Sequence, residues 1–298
     1  MKKKKFSQSQ TFSHTHEMDQ TSALKIRNAT FDDMKMFLEW ANKECWNVSE
    51  ADVNAFYHID PQGFFVGEVN GEPVAIVSAV VYDNYAHVGF YIAKTEFRGK
   101  GYGLKLFQHA VKYAEEKVGV LGLDGVEQQK KNYEKSGFKS VDLLVRYTRK
   151  AQGERDSELS NIRDLPLEEI AIYDQSSFGS SRKNYIDALL RQQGVHGFVV
   201  KKDGQVKGYG ILKKTYSGYK VAPLVVDNQE VAEKIINGLQ SLIEGEDVYL
   251  DIFETNKDAE NLVKSQGWTH ATTLHRMYKN GVPQNDTNKL YGNIPEVA

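Results

Sequence analysis

The sequence predicts an α+β protein made of two similar domains in tandem. Strand-like and helix-like stretches alternate from Ala23 to Arg149, a polar connector follows over 151–160, and the same plan then repeats. Matching glycines keep their spacing across the repeat: Gly71 and Gly204 stand 133 residues apart, Gly137 and Gly267 130 apart. A length of 298 residues suits two domains at about 150 residues each.

In the first half, Leu24–Asn28 reads as a strand. Thr30 can cap a helix whose apolar residues Met34, Phe37, Leu38 and Ala41 fall at i, i+3, i+4, i+7. Phe64–Val69 and Val74–Val81 read as strands around Asn70-Gly71, the pair that a tight hairpin turn prefers because both residues take positive φ. Ala86–Ala93 is a further strand. Leu104, Phe107, Val111 and Ala114 mark a helix, Val118–Leu123 a strand, Gln128–Ser136 a short helix and Val141–Tyr147 a last strand. In the second half, Phe198–Lys202 and Val206–Lys213 flank Asp203-Gly204. Tyr219–Val226 is strand-like, Val231, Ile235, Leu239 and Leu242 form a helical stripe, and Val248–Phe253, Asn256–Gln266 and Thr272–Tyr278 read as strand, helix and strand.

Lys plus Arg number 38 against 40 Asp plus Glu, so the chain lacks the strong basic excess of a bulk nucleic-acid binder. No run of about 18 apolar residues suggests a membrane span. One cysteine, Cys45, excludes an intramolecular disulfide framework and fits a reducing cytoplasm. Residues 1–22 are polar and lysine-rich and read as a disordered tail; His14, His16 and Glu17 within it do not make a persuasive metal site, and no metal is expected. Residues 282–298 read as a second, loose tail.

The informative stretch is Arg98-Gly99-Lys100-Gly101-Tyr102-Gly103, set between a strand and an amphipathic helix. Three glycines at alternate positions leave backbone N–H groups unshielded at a helix start, where the dipole also favours an anion. Neither the phosphate loop ending in Gly-Lys-Ser/Thr nor Gly-x-Gly-x-x-Gly is present here.

These residues resemble the acetyl-CoA loop of the GNAT acetyltransferases, Arg/Gln-x-x-Gly-x-Gly/Ala. A second signature of that family, Tyr four residues before Gly-Phe, is matched by Tyr133 and Gly137-Phe138. Phe178-Gly179-Ser180-Ser181-Arg182 and Arg276-Met277 resemble the C-terminal domain of a tandem family that includes YitH-type acetyltransferases. The resemblance implies a mostly antiparallel sheet flanked by helices, a catalytic domain over 23–150 and a GNAT-like domain over 161–281. It implies that Tyr91, Ile92 and Ala93 run along the pantetheine arm of acetyl-CoA, that residues 98–103 hold its pyrophosphate, and that Tyr133 lies near its sulfur. Family members often place Asn seven residues before that tyrosine; Val126 stands there instead.

The implied reaction is direct transfer of an acetyl group to a primary amine. An alkyl ammonium has a pKa near ~10, so something must take its proton. His87, eleven residues before Arg98, and Asp124, at a strand end, are the candidates. In the second half Asp227-Asn228-Gln229-Glu230 replaces the glycine loop and Val263 stands where the tyrosine would be, so that domain is expected to bind no cofactor and to shape the acceptor pocket, with Arg182, Asp251 and Arg276 as contributors. A non-catalytic acyl-CoA-binding protein and a transferase of another acyl group are the competing readings. Small amine, amino acid, polyamine and protein lysine all fit as acceptor.

Overall fold

The computed structural model describes residues 23–296; the tail assigned to 1–22, with its histidines, lies outside them. The strands are β1 (Lys25–Asn28), β2 (Phe64–Val69), β3 (Glu72–Val81), β4 (Tyr85–Ala93), β5 (Val120–Gly125), β6 (Lys139–Lys150), β7 (Leu159–Asn161), β8 (His196–Lys202), β9 (Gln205–Lys214), β10 (Tyr219–Val226), β11 (Asp247–Phe253), β12 (Thr269–Lys279) and β13 (Leu290–Gly292). The helices are α1 (Met34–Lys43), α2 (Glu50–Ile59), α3 (Tyr102–Glu115), α4 (Glu127–Lys135), α5 (Leu167–Phe178), α6 (Lys183–Leu190), α7 (Gln229–Gln240) and α8 (Lys257–Ser265). The predicted hairpins are present, with Asn70 and Gly71 at φ 53° and 81° and Asp203 and Gly204 at 52° and 77°.

All strands join one sheet in the order β1-β2-β3-β4-β5-β12-β6-β11-β10-β9-β8-β7, and β13 pairs with β10. Pairing is antiparallel except for β4 with β5 and β10 with β11. The two halves exchange their last long strands. β12, from the second half, pairs with β5 of the first, with Arg276 opposite Asp124. β6, from the first half, pairs with β11 of the second, with Arg146 opposite Asp251. β6 and β12 then pair with each other at the centre.

One face of the sheet carries α3 over the first half and α7 with α8 over the second, each on its own apolar cluster. The other face carries α1, α2, α5 and α6 over a cluster drawn from both halves. Phe56 of α2 stacks on Tyr185 of α6 across the domain boundary, with centroids 4.7 Å apart and planes at 4°.

The structure corrects the reading of 282–298 as a loose tail. Its described part ends in β13 and a buried run: Leu290, Tyr291, Asn293, Ile294 and Glu296 are all buried. The asparagines and prolines suggested a solvated segment, but three residues suffice for a strand where a neighbouring strand offers free backbone groups. Helices α2, α5 and α6 also escaped the periodicity reading. Their inward faces carry Asp52, Asp174 and Tyr185 among the apolar residues, which blurs an amphipathic stripe.

Candidate active site

β4 and β5 are paired only from Tyr85–Val120 to Val88–Leu123 and then part. At that point β4 also slips against β3, with Gly89 opposite Ser78 but Ile92 opposite Ile76, so one extra residue is bulged. Phe90 sits in the bulge at φ 48°. A bulge frees backbone polar groups from the ladder and re-aims side chains. Tyr91 and Ala93 thereby face α3, while Phe90 and Ile92 face the opposite core.

Beyond β4 the glycine loop leads into α3. Gly99 and Gly101 take φ 76° and 81°, and nothing stands within 4 Å of where a Cβ on either would be. Gly101 caps α3 and offers no side-chain hydrogen bond to the start of the helix. Tyr102 is buried, whereas Arg98 and Lys100 are exposed. Arg98 braces the loop more than it waits for a ligand: its Nε donates to the Ala93 carbonyl at 2.8 Å and its Nη2 to Glu44 at 2.5 Å. Gly103 lets the Tyr91 ring pass, its missing Cβ lying 3.0 Å from that hydroxyl. Tyr133, on α4, has its ring 6.5 Å from that of Tyr91 and 5.6 Å from Phe107. Burial pushes its phenol well above the usual range, so it stays protonated as a hydrogen-bond donor.

The opposite face at the parting of β4 and β5 is polar and buried. Arg276 holds Asp124 through Nε and Nη2 at 2.7 and 2.8 Å. His87 Nε2 lies 3.8 Å from Asp124 and 3.2 Å from the Pro295 carbonyl, and its Nδ1 is 2.7 Å from the Tyr85 hydroxyl. A carbonyl only accepts, so Nε2 carries the proton and Nδ1 accepts from Tyr85. Burial, then the nearby Arg276, hold the imidazole pKa well below its usual value. Burial pushes Asp124 up to about 6 against the pull of Arg276.

The second half contains a matching pair. Arg146 holds Asp251 through Nε and Nη2 at 2.6 and 2.9 Å, with Lys220 Nζ 3.5 Å from the same carboxylate. Arg182 binds Asp174 at 3.0 and 2.6 Å and stacks on Phe178. It also borders a cavity of about 250 Å³, shared with Ile59, Val81, Tyr82, Asp83 and Tyr185. The structure thus groups His87, Asp124 and Arg276, puts Asp251 in the equivalent cluster, and sets Arg182 at the cavity. No group of three or more His, Cys, Asp or Glu among the described residues could hold a metal. No described helix is long and apolar enough to cross a membrane.

Two family models match: the one described as Acetyltransferase (GNAT) family over residues 31–138, and the one described as Acetyltransferase (GNAT) domain over 170–292. A curated relative, Holothin acyltransferase from Pseudoalteromonas sp. (strain SANK 73390), is 32% identical over 88% of this chain and 90% of its own length. The chain belongs to the GNAT family. It is a tandem GNAT acyltransferase. A second relative, the N-acetyltransferase YitH of Bacillus subtilis (strain 168), is 23% identical over 60% of this chain and 65% of its own. Among solved structures, an acetyltransferase of Pyrococcus horikoshii superposes with a TM-score of 0.78 at 24% identity, covering 95% of this chain and 98% of that one. The tandem GNAT protein from the clavulanic acid biosynthesis pathway superposes at 0.61 with 13% identity, over 87% and 99%; these two likenesses concern the fold.

In this GNAT chain the residues that sequence reasoning missed are Tyr85, Arg146, Lys220 and Glu296. Lys220 is a lysine of β10 with no exposure, followed by Val221 and Ala222. A charge inside an apolar strand was the available signal, since such a residue is seldom buried without a partner.

Proposed function

We propose that this protein transfers an acetyl group from acetyl-CoA directly to a primary amine at the parting of β4 and β5. One observation carries the reading: past the bulge at Phe90, Tyr91 lies against Gly103 at the start of α3 and has its ring 6.5 Å from that of Tyr133. When bound, acetyl-CoA supplies a thioester carbonyl and a thiolate leaving group. In this reading the backbone of Tyr91, Ile92 and Ala93 lines the pantetheine arm. The N–H groups of residues 98–103 receive the pyrophosphate, with Lys100 adding charge at the rim. Backbone N–H groups at the bulge stabilise charge on the thioester oxygen. Tyr133 stabilises the thiolate as a hydrogen-bond donor. A phenol raised by burial is a poorer acid than a thiol of pKa about 8.5, so a hydrogen bond is the sounder role than full proton transfer.

The acceptor approaches on the face of α1, α2, α5 and α6, where the polar clusters lie. The amine proton is assigned to His87 Nδ1, with the Tyr85 hydroxyl between, and Asp124 with Arg276 positions the ring. Arg182 and the cavity beside it form the acceptor-side entrance, and Asp251 supports it from the second domain. The curated relative is named for an acyl rather than an acetyl group and for holothin as acceptor. That favours a second reading, in which a longer acyl group is moved. The test is thiol release across a panel of amines that includes holothin, each with acetyl-CoA and with longer acyl-CoA donors. Turnover highest with acetyl-CoA supports the first reading and turnover rising with acyl length the second. CoA binding with no turnover of any amine would sink both.

A further inference from the structure

In the second domain β10 and β11 pair only over Tyr219–Val248 and Lys220–Tyr249 and then part, as β4 and β5 do. β10 carries a one-residue slip against β9 between Val221 and Leu224, the counterpart of the bulge at Phe90. This second opening is filled from within. β13 lies along β10, with Gly292 opposite Leu224 and Leu290 opposite Val225. Asn256, which caps α8, donates from Nδ2 to the carbonyls of Thr287, Asn288 and Leu290 at 3.0, 3.1 and 3.3 Å. A Cβ on Gly292 would stand 2.8 Å from Leu224 and 2.9 Å from the Val221 carbonyl, so only glycine permits this approach. Strands that part leave backbone groups needing partners, and β13 provides them.

The chain then crosses to the first domain. The Asn293 N–H and Nδ2 both donate to the Asp251 carbonyl, at 2.8 and 3.2 Å. The Pro295 carbonyl receives His87 Nε2–H. The Glu296 carbonyl lies over Gly89, where a Cβ would be only 1.9 Å from it. The Glu296 carboxylate is buried 3.3 Å from Lys220 Nζ and 3.7 Å from Arg146 Nη2. Beside Gly89, the buried Ser78 hydroxyl has no hydrogen-bond partner among the described residues.

We propose that β13 stands in the second domain's opening where the first domain takes its cofactor, and that residues 293–296 are a positioning element of the transfer site. They set the tautomer of His87 through Pro295 and form the acceptor-side wall at Gly89 through Glu296. This rests on reading the first opening as the transfer site. A chain stopped after Gly292 keeps β13 and loses the wall. It should bind acetyl-CoA as the parent does in calorimetry, with an unchanged KM for acetyl-CoA, while kcat/KM for the amine falls by roughly tenfold or more. Nuclear magnetic resonance should show the His87 Nε2–H signal lost. Should the shortened chain not fold, Glu296→Gln in the full chain carries the kinetic test, with the KM for the amine rising and that for acetyl-CoA unmoved. Amine kcat/KM at the parent value would overturn the proposal, and so would a rise, which would make the segment a plug.

If the parent turns over no amine, the reading of the first opening fails, but the placement of the segment is still tested by Gly89→Ala. In the full chain the new methyl meets the Glu296 carbonyl; in the shortened chain its nearest remaining neighbour is Ser78 Oγ at 3.3 Å. The Tm should drop clearly in the full chain and by less than half as much in the shortened one, by a rough expectation from relief of overpacking. Equal drops in both would overturn the placement.

Discussion

The two openings in this sheet share a frame and differ in what fills their donors. Each lies where a parallel pair parts beside a bulged strand, and each is backed by a buried cross-strand Arg–Asp pair whose members come from different halves of the chain. In the first, Gly101 precedes α3 and has no side chain to cap the helix. In the second, Asn228 accepts the Val231 N–H with its own Oδ1 at 3.1 Å, and Asp227 is tied to Tyr173 and Lys289. A capping side chain does for α7 what an anion would do for α3, so an anion site requires a helix start left uncapped as well as a dipole. The comparison also separates the two aspartates. Burial pushes both carboxyls up, yet Asp251 ends below its usual range because Arg146 and Lys220 both pull it down. Asp124 has Arg276 and a neutral His87 and ends at about 6.

The comparison can be broken most severely at those pairs. Asp124→Ala or Asp251→Ala leaves a buried arginine without its partner, which should cost about 3–5 kcal/mol in urea unfolding. The loss at Asp251 should be the larger, since Lys220 is stranded too; losses below about 1 kcal/mol would mean that the pairs are solvated. Next, Gly101→Glu puts bulk, charge and a strained φ at the open helix start, and acetyl-CoA affinity in calorimetry should fall by roughly tenfold or more. The converse change, Asp227→Gly with Asn228→Gly, should create no second site, because β13 still fills that opening; two acetyl-CoA per chain would refute that role of β13.

Smaller effects sharpen the contrast. Tyr133→Phe should lower kcat by about tenfold with little change in acetyl-CoA affinity, given that chemistry limits the rate. An unchanged kcat under that condition removes the tyrosine from the reaction. The pH response is the finest test. Asp124 binds its proton more tightly folded than unfolded, so its contribution favours the native state at low pH and is lost as pH rises from 3.8 to about 6. Asp251 has the opposite sign, contributing above its unfolded pKa and losing that as pH falls through its lowered folded value. Asp124→Asn should therefore remove a downward slope of stability between pH 4 and about 6 in urea midpoints. For the reaction, the neutral His87 is the competent form. Its limb in the rate profile should lie well below pH 6.5, and its persistence in His87→Gln would reassign the proton.

Much of the first opening was legible because it is local. Alternate glycines between a strand and an amphipathic helix mark the proposed anion loop within six residues, and the Asn70-Gly71 and Asp203-Gly204 turns follow from the positive φ that two-residue hairpins need. The polar face was only half legible. Asp124, Asp251 and Arg276 drew attention as single residues, but their pairings did not. Asp124 and Arg146 stand in the same half, yet the fold pairs Asp124 with Arg276, 152 residues away, and Arg146 with Asp251, 105 away.

By itself, then, the sequence determined the turns, the uncapped start of α3, the capped start of α7 and the alternation that makes each strand two-faced, all of them set by dihedral preference and side-chain period. The tertiary structure decided which strand lies beside which. The period-2 pattern of β6 is satisfied equally by β5 or β11, and that of β12 by either as well. The exchange of β6 and β12, the seating of β13 in the second opening and the arrival of Glu296 at Gly89 are choices among partners of equal local fitness. They are decided by how two cores close on one sheet and by the need of buried backbone groups and charges for partners.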